Sequence, residues 1–173
     1  MNSRLLFIVL TFLSLGVNAV PVKSFGQLAK KQDGSISISY SKIEWMDLES
    51  AADRNKEKKK FIFIDIYTDW CGWCKKMDQS TFQDSAVAAY MNEHFYAVKM
   101  NAESKDPIAY KEVLYEYKQY GNKGYNELAV NLLNSKMSFP SFVVLSKKEA
   151  RLGVIVGYQK PTELLLKLKE YAE

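Results

Sequence analysis

The stretch from Phe61 to Lys75 reads FIFIDIYTDWCGWCK, and it decides the fold. Residues 61–67 are apolar on both alternating faces, which is typical of a central strand covered by helices on each side of the sheet. Asp65 interrupts this strand. Two cysteines, Cys71 and Cys74, follow it closely, where a helix is predicted to begin. The segment therefore predicts a buried strand that delivers a cysteine pair to the start of a helix.

The position of the cysteine pair indicates redox chemistry. At a helix N-terminus, unpaired backbone N–H groups and the positive end of the helix dipole stabilise a thiolate, which is the nucleophilic form of cysteine. Cys74 lies one turn beyond Cys71, so it can close a small disulfide or resolve a mixed disulfide formed at Cys71. The residues between them, Gly72 and Trp73, tune the reduction potential of the pair.

Two other interpretations of the pair are a static disulfide and half of a metal site. A static bridge would close a very short loop, so it would add little stability through loop closure. A metal site would need further thiol or imidazole ligands, and the chain holds only these two cysteines and one histidine, His94. We therefore favour redox cycling and predict neither a metal nor another cofactor.

Asp65 is the second candidate for chemistry. A charged and unpaired carboxylate inside an apolar strand costs several kcal/mol, so we expect the pKa of Asp65 to be raised. Asp65 precedes Cys71 by six residues, which places it beneath the new helix, near Cys74. There it could accept the Cys74 proton, directly or through water. The alternative is a structural carboxylate paired with Lys99 on the neighbouring strand, and the two roles are compatible.

Composition and periodicity indicate one α/β domain. The chain has 173 residues, of which 47% are hydrophobic and 25% charged, and its formal net charge of +4 gives no case for nucleic-acid binding. Strands and helices alternate along the chain, as they do in α/β folds. The predicted strands cover residues 35–40, 61–67, 95–100, 142–145 and 152–156, and predicted helices cover residues 43–58 and 162–171.

Residues 103–136 are predicted to form a helical insertion. Asp106 and Pro107 suit the start of a helix, and Gly121 to Gly124 would end it before a second helix begins. The region is rich in tyrosine, a residue that favours interfaces. The insertion could therefore be a lid or a partner-docking surface, but the helical spacing of its apolar residues favours packing against the domain.

The N-terminus has the parts of a secretory signal peptide. Arg4 precedes an uncharged and mostly apolar run, residues 5–17, and small residues stand before a cleavage site after Ala19. The run is shorter than the roughly 20 residues that span a bilayer, although an uncleaved anchor is the alternative. We expect residues 20–173 to form the mature domain and to act outside the cytoplasm, where disulfides persist, which in a bacterium means the periplasm.

The segment Phe61 to Lys75 resembles the active-site segment of the thioredoxin superfamily, with Gly-Trp between the cysteines where thioredoxin has Gly-Pro. Residues 137–140 look like the cis-proline loop of that family, and Gly157 matches a family glycine. The resemblance covers most of residues 43–171 and points to the secreted, bacterial branch. It implies a thioredoxin-like fold: a central mixed β-sheet flanked by helices, here with the helical insertion before the cis-proline loop.

The resemblance also implies catalytic roles. Cys71 would be the attacking thiol, Cys74 the resolving thiol and Asp65 the internal acid and base. These roles make the chain a protein-disulfide oxidoreductase of the thioredoxin-like type.

A second set of residues would contact the substrate. Pro140 would be the cis-proline, and the backbone of Phe139 would pair with the substrate chain. The set also includes Trp70, Gly72 and Trp73. The two tryptophans either form an apolar rim that receives the substrate or serve only in packing.

We therefore predict a secreted enzyme that reduces protein disulfides and contributes to redox homeostasis. Its partners would be disulfide-containing proteins and a thiol–disulfide electron donor, such as a membrane reductase, with no nucleic acid and no metal. One alternative is a redox-sensing binding module whose cysteine pair switches its affinity for a partner. A disulfide isomerase or an oxidant is the other alternative.

Overall fold

A computed structural model describes residues 42–172. The predicted signal peptide and the predicted strand at residues 35–40 lie outside these residues. In chain order the elements are β1 (Trp45–Met46), α1 (Leu48–Glu57), β2 (Phe61–Tyr67), α2 (Gly72–Gln79), a 3-10 helix (Thr81–Gln83), α3 (Ser85–His94), β3 (Phe95–Asn101), β4 (Ile108–Tyr110), β5 (Val113–Tyr115), β6 (Tyr117–Tyr120), β7 (Lys123–Asn126), α4 (Glu127–Leu132), β8 (Ser141–Leu145), β9 (Arg151–Val156) and α5 (Pro161–Ala172).

The main sheet has five strands in the order β1-β3-β2-β8-β9. The central strand β2 pairs in parallel with β3 and antiparallel with β8, and β9 pairs antiparallel with β8. This is the mixed α/β sheet that the sequence predicts, including the antiparallel hairpin formed by its last two strands. The central position of β2 explains why both of its faces are apolar, since each is covered by helices.

The two faces of β2 belong to two hydrophobic clusters. Ile62, Ile64 and Ile66 pack on the face that α1 and α4 cover. Phe63 packs on the opposite face with residues of α2, α3 and α5. Because side chains alternate along a strand, Asp65 lies on this second face, beneath α2. None of the helices in residues 42–172 is long and apolar enough to cross a membrane.

The first helix begins later than predicted. Its N-cap is Asp47, whose side chain accepts a hydrogen bond from the backbone N–H of Ser50 at 2.7 Å. The preceding residues, Trp45 and Met46, form a short strand beside β3 instead of the first helical turn. The prediction of a helix from residue 43 is therefore wrong at its start, because Asp47 supplies the cap.

The first predicted helix of the insertion is also wrong. Residues 108–126 form two antiparallel hairpins, β4–β5 and β6–β7. Lys111 and Glu112 both have positive φ, 52° and 63°, as a type I′ hairpin turn requires, and Gly121 has a φ of 60° at the first central position of the second turn. Tyrosine and valine suit strands at least as well as helices, so these turns decide the structure. The second predicted helix is confirmed as α4, which Asn126 caps.

Candidate active site

The cysteine pair lies where the sequence places it, at the N-terminus of α2. Cys71 and Cys74 form a disulfide with an S–S distance of 2.04 Å. Cys71 is the N-cap of α2, and its Sγ accepts a hydrogen bond from the backbone N–H of Cys74 at 3.1 Å. A backbone N–H directed at this sulfur, together with the helix dipole, favours a thiolate on Cys71 once the disulfide is reduced.

The disulfide is nearly covered, whereas its neighbours are open to solvent. Cys71 is 4% exposed and Cys74 is 3% exposed, while Trp70 and Trp73 are 60% and 61% exposed. The two cysteines therefore hardly differ in exposure. The two sulfurs differ instead in their place on the helix, because Cys71 precedes the first turn and Cys74 lies within it.

The cis-proline loop lies beside the cysteine pair. The Phe139–Pro140 bond is cis, as the resemblance implies. The ring of Phe139 contacts the ring of Trp70 edge-on, with centroids 5.8 Å apart, and it also contacts Tyr125 at 6.1 Å. The backbone N–H of Gly157 donates to the Pro140 carbonyl at 2.9 Å, and Gly157 has a φ of 83°, which favours glycine.

The two exposed tryptophans are both held by neighbouring side chains. The indole Nε1 of Trp70 donates to both carboxylate oxygens of Glu103, at 2.9 and 3.0 Å. The ring of Trp73 lies 5.2 Å from the ring of Tyr158. Between the tryptophans the surface is open, since a Cβ added to Gly72 would meet nothing within 4 Å. The tryptophans therefore form a rim on either side of an accessible backbone.

Asp65 is buried and only partly satisfied. It is 1% exposed, and its Oδ2 accepts a hydrogen bond from Lys99 Nζ at 2.7 Å. Within residues 42–172, Asp65 Oδ1 has no hydrogen-bond partner. Desolvation raises the pKa of Asp65 to about 6, although the positive charge of Lys99 opposes this shift. The pairing of Asp65 with Lys99 that the sequence suggests is confirmed.

Lys99 joins the buried carboxylate to a second one on α2. Its Nζ contacts Asp78 as well as Asp65. Burial alone would lower the pKa of Lys99, but the two carboxylates together raise it. The ammonium group also lies within about 5 Å of three aromatic ring centres, those of Trp45, Tyr67 and Phe82. Lys99 is therefore a charged group enclosed by carboxylates and rings beneath the active-site helix.

A comparison with protein families matches residues 29–156 to the Thioredox_DsbH model, described as "Protein of unknown function, DUF255". The chain belongs to this family. Solved structures with the same fold include "DsbH Oxidoreductase", with a TM-score of 0.58 and 17% identity over 83% of this chain and 93% of that one. A putative disulphide-isomerase from Bacteroides thetaiotaomicron gives a TM-score of 0.54 and 24% identity over 77% and 93% of the two chains. The thioredoxin-like fold predicted from the sequence is thus confirmed.

Curated relatives of this DUF255 family member include redox proteins. A thiol:disulfide interchange protein DsbD from Vibrio vulnificus (strain YJ016) is 31% identical over 87 residues, which are 49% of this chain and 14% of the relative. Mouse spermatogenesis-associated protein 20 is 26% identical over 90 residues, 51% of this chain and 11% of the relative. The chain spans a small part of each relative. Together with the cysteine pair, the match to the thiol:disulfide interchange protein shows similarity to a domain of the thiol–disulfide oxidoreductase type.

Sequence reasoning missed three residues that hold this site: Asp78, Glu103 and Tyr158. Asp78 follows Cys74 by four residues, so helical periodicity already places it on the same face of α2. The contact between Glu103 and Trp70 joins residues 33 positions apart, and no sequence pattern points to it. The same holds for Tyr158 against Trp73.

Among residues 42–172, no group of three or more His, Cys, Asp or Glu side chains is arranged to hold a metal ion. His94 ends α3, where its ring packs against Tyr90 with centroids 4.3 Å apart.

Proposed function

We propose that this protein reduces disulfides in protein substrates outside the cytoplasm, using Cys71 and Cys74 as a dithiol/disulfide pair. One observation carries the proposal: the Cys71–Cys74 disulfide closes at the N-terminus of α2, beside the cis-proline loop and between two exposed tryptophans. The similarity to a thiol:disulfide interchange protein supports the same reaction.

The reaction moves two electrons from the dithiol to the substrate. The Cys71 thiolate attacks one sulfur of the substrate disulfide, a mixed disulfide forms, and the other substrate sulfur leaves as a thiolate that takes a proton. Cys74 then loses its proton and attacks the Cys71 sulfur. The Cys71–Cys74 disulfide forms and the second substrate thiol departs. A thiol–disulfide donor, such as a membrane reductase, must return two electrons before the next turnover.

Asp65 is the proposed acceptor of the Cys74 proton. It lies on the sheet face that α2 covers, and one of its carboxylate oxygens has no hydrogen-bond partner within residues 42–172. With a pKa raised to about 6, the carboxylate is mostly ionised at neutral pH and is still basic enough to take a proton. Lys99 would hold it in place during this step.

The proposed substrate contacts surround the disulfide. Trp70 and Trp73 supply an apolar rim, and the open surface over Gly72 leaves room for a chain that lies across it. Within residues 42–172, the backbone N–H and carbonyl of Phe139 make no hydrogen bond, so both can pair with an extended substrate. Pro140 lacks an N–H, so its nitrogen cannot donate to the reacting sulfurs.

The deciding measurement is the equilibrium reduction potential of the Cys71–Cys74 pair in a defined thiol buffer. The fluorescence of Trp70 and Trp73 should report the transition. A potential near about −270 mV, the value of thioredoxin, would support a reductant, and one near about −120 mV would indicate an oxidant. An intermediate potential would favour an isomerase. If no reversible transition occurs, catalysis fails and a binding module remains.

A trapping experiment tests turnover itself. The Cys74→Ser variant should accumulate mixed disulfides with its substrates, because Cys71 can attack but no second thiol can release it. The matched control, Cys71→Ser, should accumulate none. A redox-sensing module would reduce no substrate with either the wild-type chain or the variants. An extracytoplasmic mature chain that begins at Val20 would support the proposed secretion, and intact mass after cell fractionation measures this.

A further inference from the structure

An open cleft of about 640 Å³ lies next to the active-site tryptophan. Trp70 and Asp69 form the wall on the side of the disulfide, and Tyr117 and Gln119 of the β6–β7 hairpin form the opposite wall. The loop that follows β3 contributes Glu103 to the same cleft. Its volume falls within the roughly 300–1,000 Å³ that is typical of ligand-binding sites.

We propose that this cleft binds the polypeptide segment that flanks the substrate disulfide, and that the β6–β7 hairpin selects polypeptide disulfides over small ones. The inference rests on the proposed function, because it assigns a substrate class to that site. The occupant is an extended polypeptide chain, and its disulfide is the one that Cys71 attacks.

The first argument is continuity with the reactive sulfur. Trp70 immediately precedes Cys71, so a substrate held on the Cys71 sulfur must extend its chain past this tryptophan on one side. The ring is fixed there, because Glu103 accepts its N–H and Phe139 packs against it. The cleft is thus the space that the flanking substrate chain meets first on that side.

The second argument is the chemistry of the lining. Tyr117 and Gln119 alternate with Lys118 along β6, so they share one face of the hairpin. Lys105 and Lys123 also line the cleft and add positive charge to it. Aromatic, amide and charged groups together match the alternating donors and acceptors of a peptide backbone better than they match an apolar ligand.

The third argument is that the hairpin is anchored to the sheet. Asn126 is fully buried at the base of β7, and its Nδ2 donates to the Tyr115 carbonyl at 3.0 Å. Its backbone N–H donates to the Ala102 carbonyl at 2.8 Å, and the N–H of Ala102 donates to the carbonyl of Tyr67 at the end of β2, also at 2.8 Å. A cleft that is already formed costs little ordering entropy when the substrate binds.

The ring of Tyr117 is held against the facing strand. A Cβ added to Gly124 would lie 2.0 Å from the Tyr117 hydroxyl oxygen, so glycine leaves the space that the ring occupies. This arrangement directs the ring along the hairpin wall. Tyr117 is therefore the residue on which a substitution should act most.

The test compares two disulfides that differ only in the flanking chain. One is a synthetic peptide whose central cysteine is disulfide-bonded to 2-mercaptoethanol, and the other is an N-acetylcysteine amide carrying the same disulfide. The pre-reduced protein is mixed with each in single-turnover experiments followed by tryptophan fluorescence. We expect Tyr117→Ala to raise the half-saturation concentration for the peptide about tenfold and to leave the small disulfide unchanged.

Two further variants serve as controls. Tyr120→Ala removes an exposed tyrosine from the same hairpin, outside the cleft, and both disulfides should react as with the wild-type protein. Tyr117→Phe keeps the ring over Gly124 and should retain most of the peptide affinity. If thermal unfolding shows that Tyr117→Ala disrupts the hairpin, Gln119→Ala addresses the same face and should raise the peptide half-saturation concentration with the small disulfide unaffected.

The outcomes separate this inference from the proposed function. If the cleft variants affect both disulfides equally, or neither, the hairpin does not select polypeptides and the inference is overturned. It is also overturned if Tyr120→Ala impairs the reaction with the peptide as strongly as Tyr117→Ala does. If the reduced wild-type protein transfers electrons to neither disulfide, the proposed function itself fails.

Discussion

The two sides of the Cys71–Cys74 disulfide differ in the residues that surround them and in how deeply these residues are buried. Beneath α2, the buried side holds Asp65 in the core, paired with a partly buried Lys99 that lies beside aromatic rings. On the other side, Trp70 lines an open cleft whose walls carry aromatic, amide and charged side chains. The buried side is suited to controlling protons and stability, and the open side to contacting a substrate. Substitutions on the two sides should therefore change different measured quantities.

The difference follows from the dielectric environment. A charge that loses its partner in the interior remains desolvated and unpaired, which costs several kcal/mol. A charge at the surface is solvated by water, so the loss of its partner has little effect. Substitutions on the buried side should therefore have large effects, and these should be seen in stability and proton transfer. Substitutions on the open side should have smaller effects, and these should be seen in affinity for the substrate.

The largest expected effect is that of Lys99→Met. It leaves the Asp65 carboxylate buried without its counter-ion, so the free energy of unfolding at neutral pH should fall by about 3–5 kcal/mol. Denaturant unfolding of the oxidised protein measures this. Adding Asp65→Asn to the same variant should recover much of the loss, because the unpaired charge is then gone.

A matched control uses an ion pair at the surface. Lys118 forms a salt bridge with Glu127 at 2.6 Å, and its side chain is 55% exposed. Lys118→Met should change the free energy of unfolding little. Equal losses from the two lysine substitutions would mean that the interior position of Lys99 carries no special cost.

The next prediction concerns how the free energy of unfolding depends on pH. In the folded protein desolvation raises the pKa of Asp65 from 3.8 to about 6, so the native state holds this proton more tightly than the unfolded chain does. The resulting stabilisation is fully present below the unfolded pKa and is lost as the pH rises through about 6. The shift corresponds to about 3 kcal/mol.

Unfolding free energies of the oxidised wild-type protein and of Asp65→Asn, measured from about pH 3 to pH 8, test this. The wild-type protein should lose about 3 kcal/mol relative to the variant across the range. Parallel profiles would show that Asp65 ionises in the folded protein as it does in the unfolded chain.

The buried side was also the easier one to predict from the sequence. The local signals on this side are the apolar run of β2, the cysteine spacing and the isolated Asp65, and each of them can be interpreted from a short stretch of sequence. The partnership of Asp65 with Lys99 followed because charged residues on two adjacent apolar strands have few other partners. What the sequence did not indicate is that Asp78 completes this cluster from α2.

The open side was harder to predict, because its segment carries signals for both helix and strand. The apolar residues of the insertion recur at helical spacing, but tyrosine and valine along the same segment also suit strands. The deciding feature is the turn at Lys111 and Glu112, both at positive φ. Asn-Gly or Asp-Gly would have predicted such a turn, whereas Lys-Glu does not. The cleft is lined by the second hairpin, which turns at Gly121 and Asn122. Gly-Asn also suits a two-residue hairpin turn, whereas our prediction from the sequence assigns it to the end of a helix.

A third prediction addresses proton transfer. In Asp65→Asn, the step in which Cys74 releases the substrate should slow about 100-fold, because the amide cannot accept the proton. The half-saturation concentration for the substrate should stay the same. Single-turnover kinetics of the pre-reduced protein separates the two quantities. A variant that loses affinity rather than rate would contradict the assignment of Asp65 to the chemistry.

Asp78→Asn supplies the matched comparison for this step. The negative charge of Asp78 contributes to the raised pKa of Asp65, so its removal should lower that pKa. The release rate should then keep its dependence on pH, with the midpoint moved to lower pH, whereas Asp65→Asn should abolish the dependence. An unmoved midpoint would show that Asp78 does not influence Asp65.

The smallest effect is expected from Glu103→Gln, on the open side. The glutamine amide oxygen can still accept the Trp70 N–H, but without the charge that strengthens this hydrogen bond. The ring should become less firmly held, and the half-saturation concentration for a peptide disulfide should rise about threefold. The reduction potential and the pH midpoint of the release step should not move, because Glu103 is not among the charges that shift the pKa of Asp65. If the reduction potential changes while the affinity for the peptide disulfide does not, substrate recognition and redox chemistry are not divided between the two sides of the disulfide.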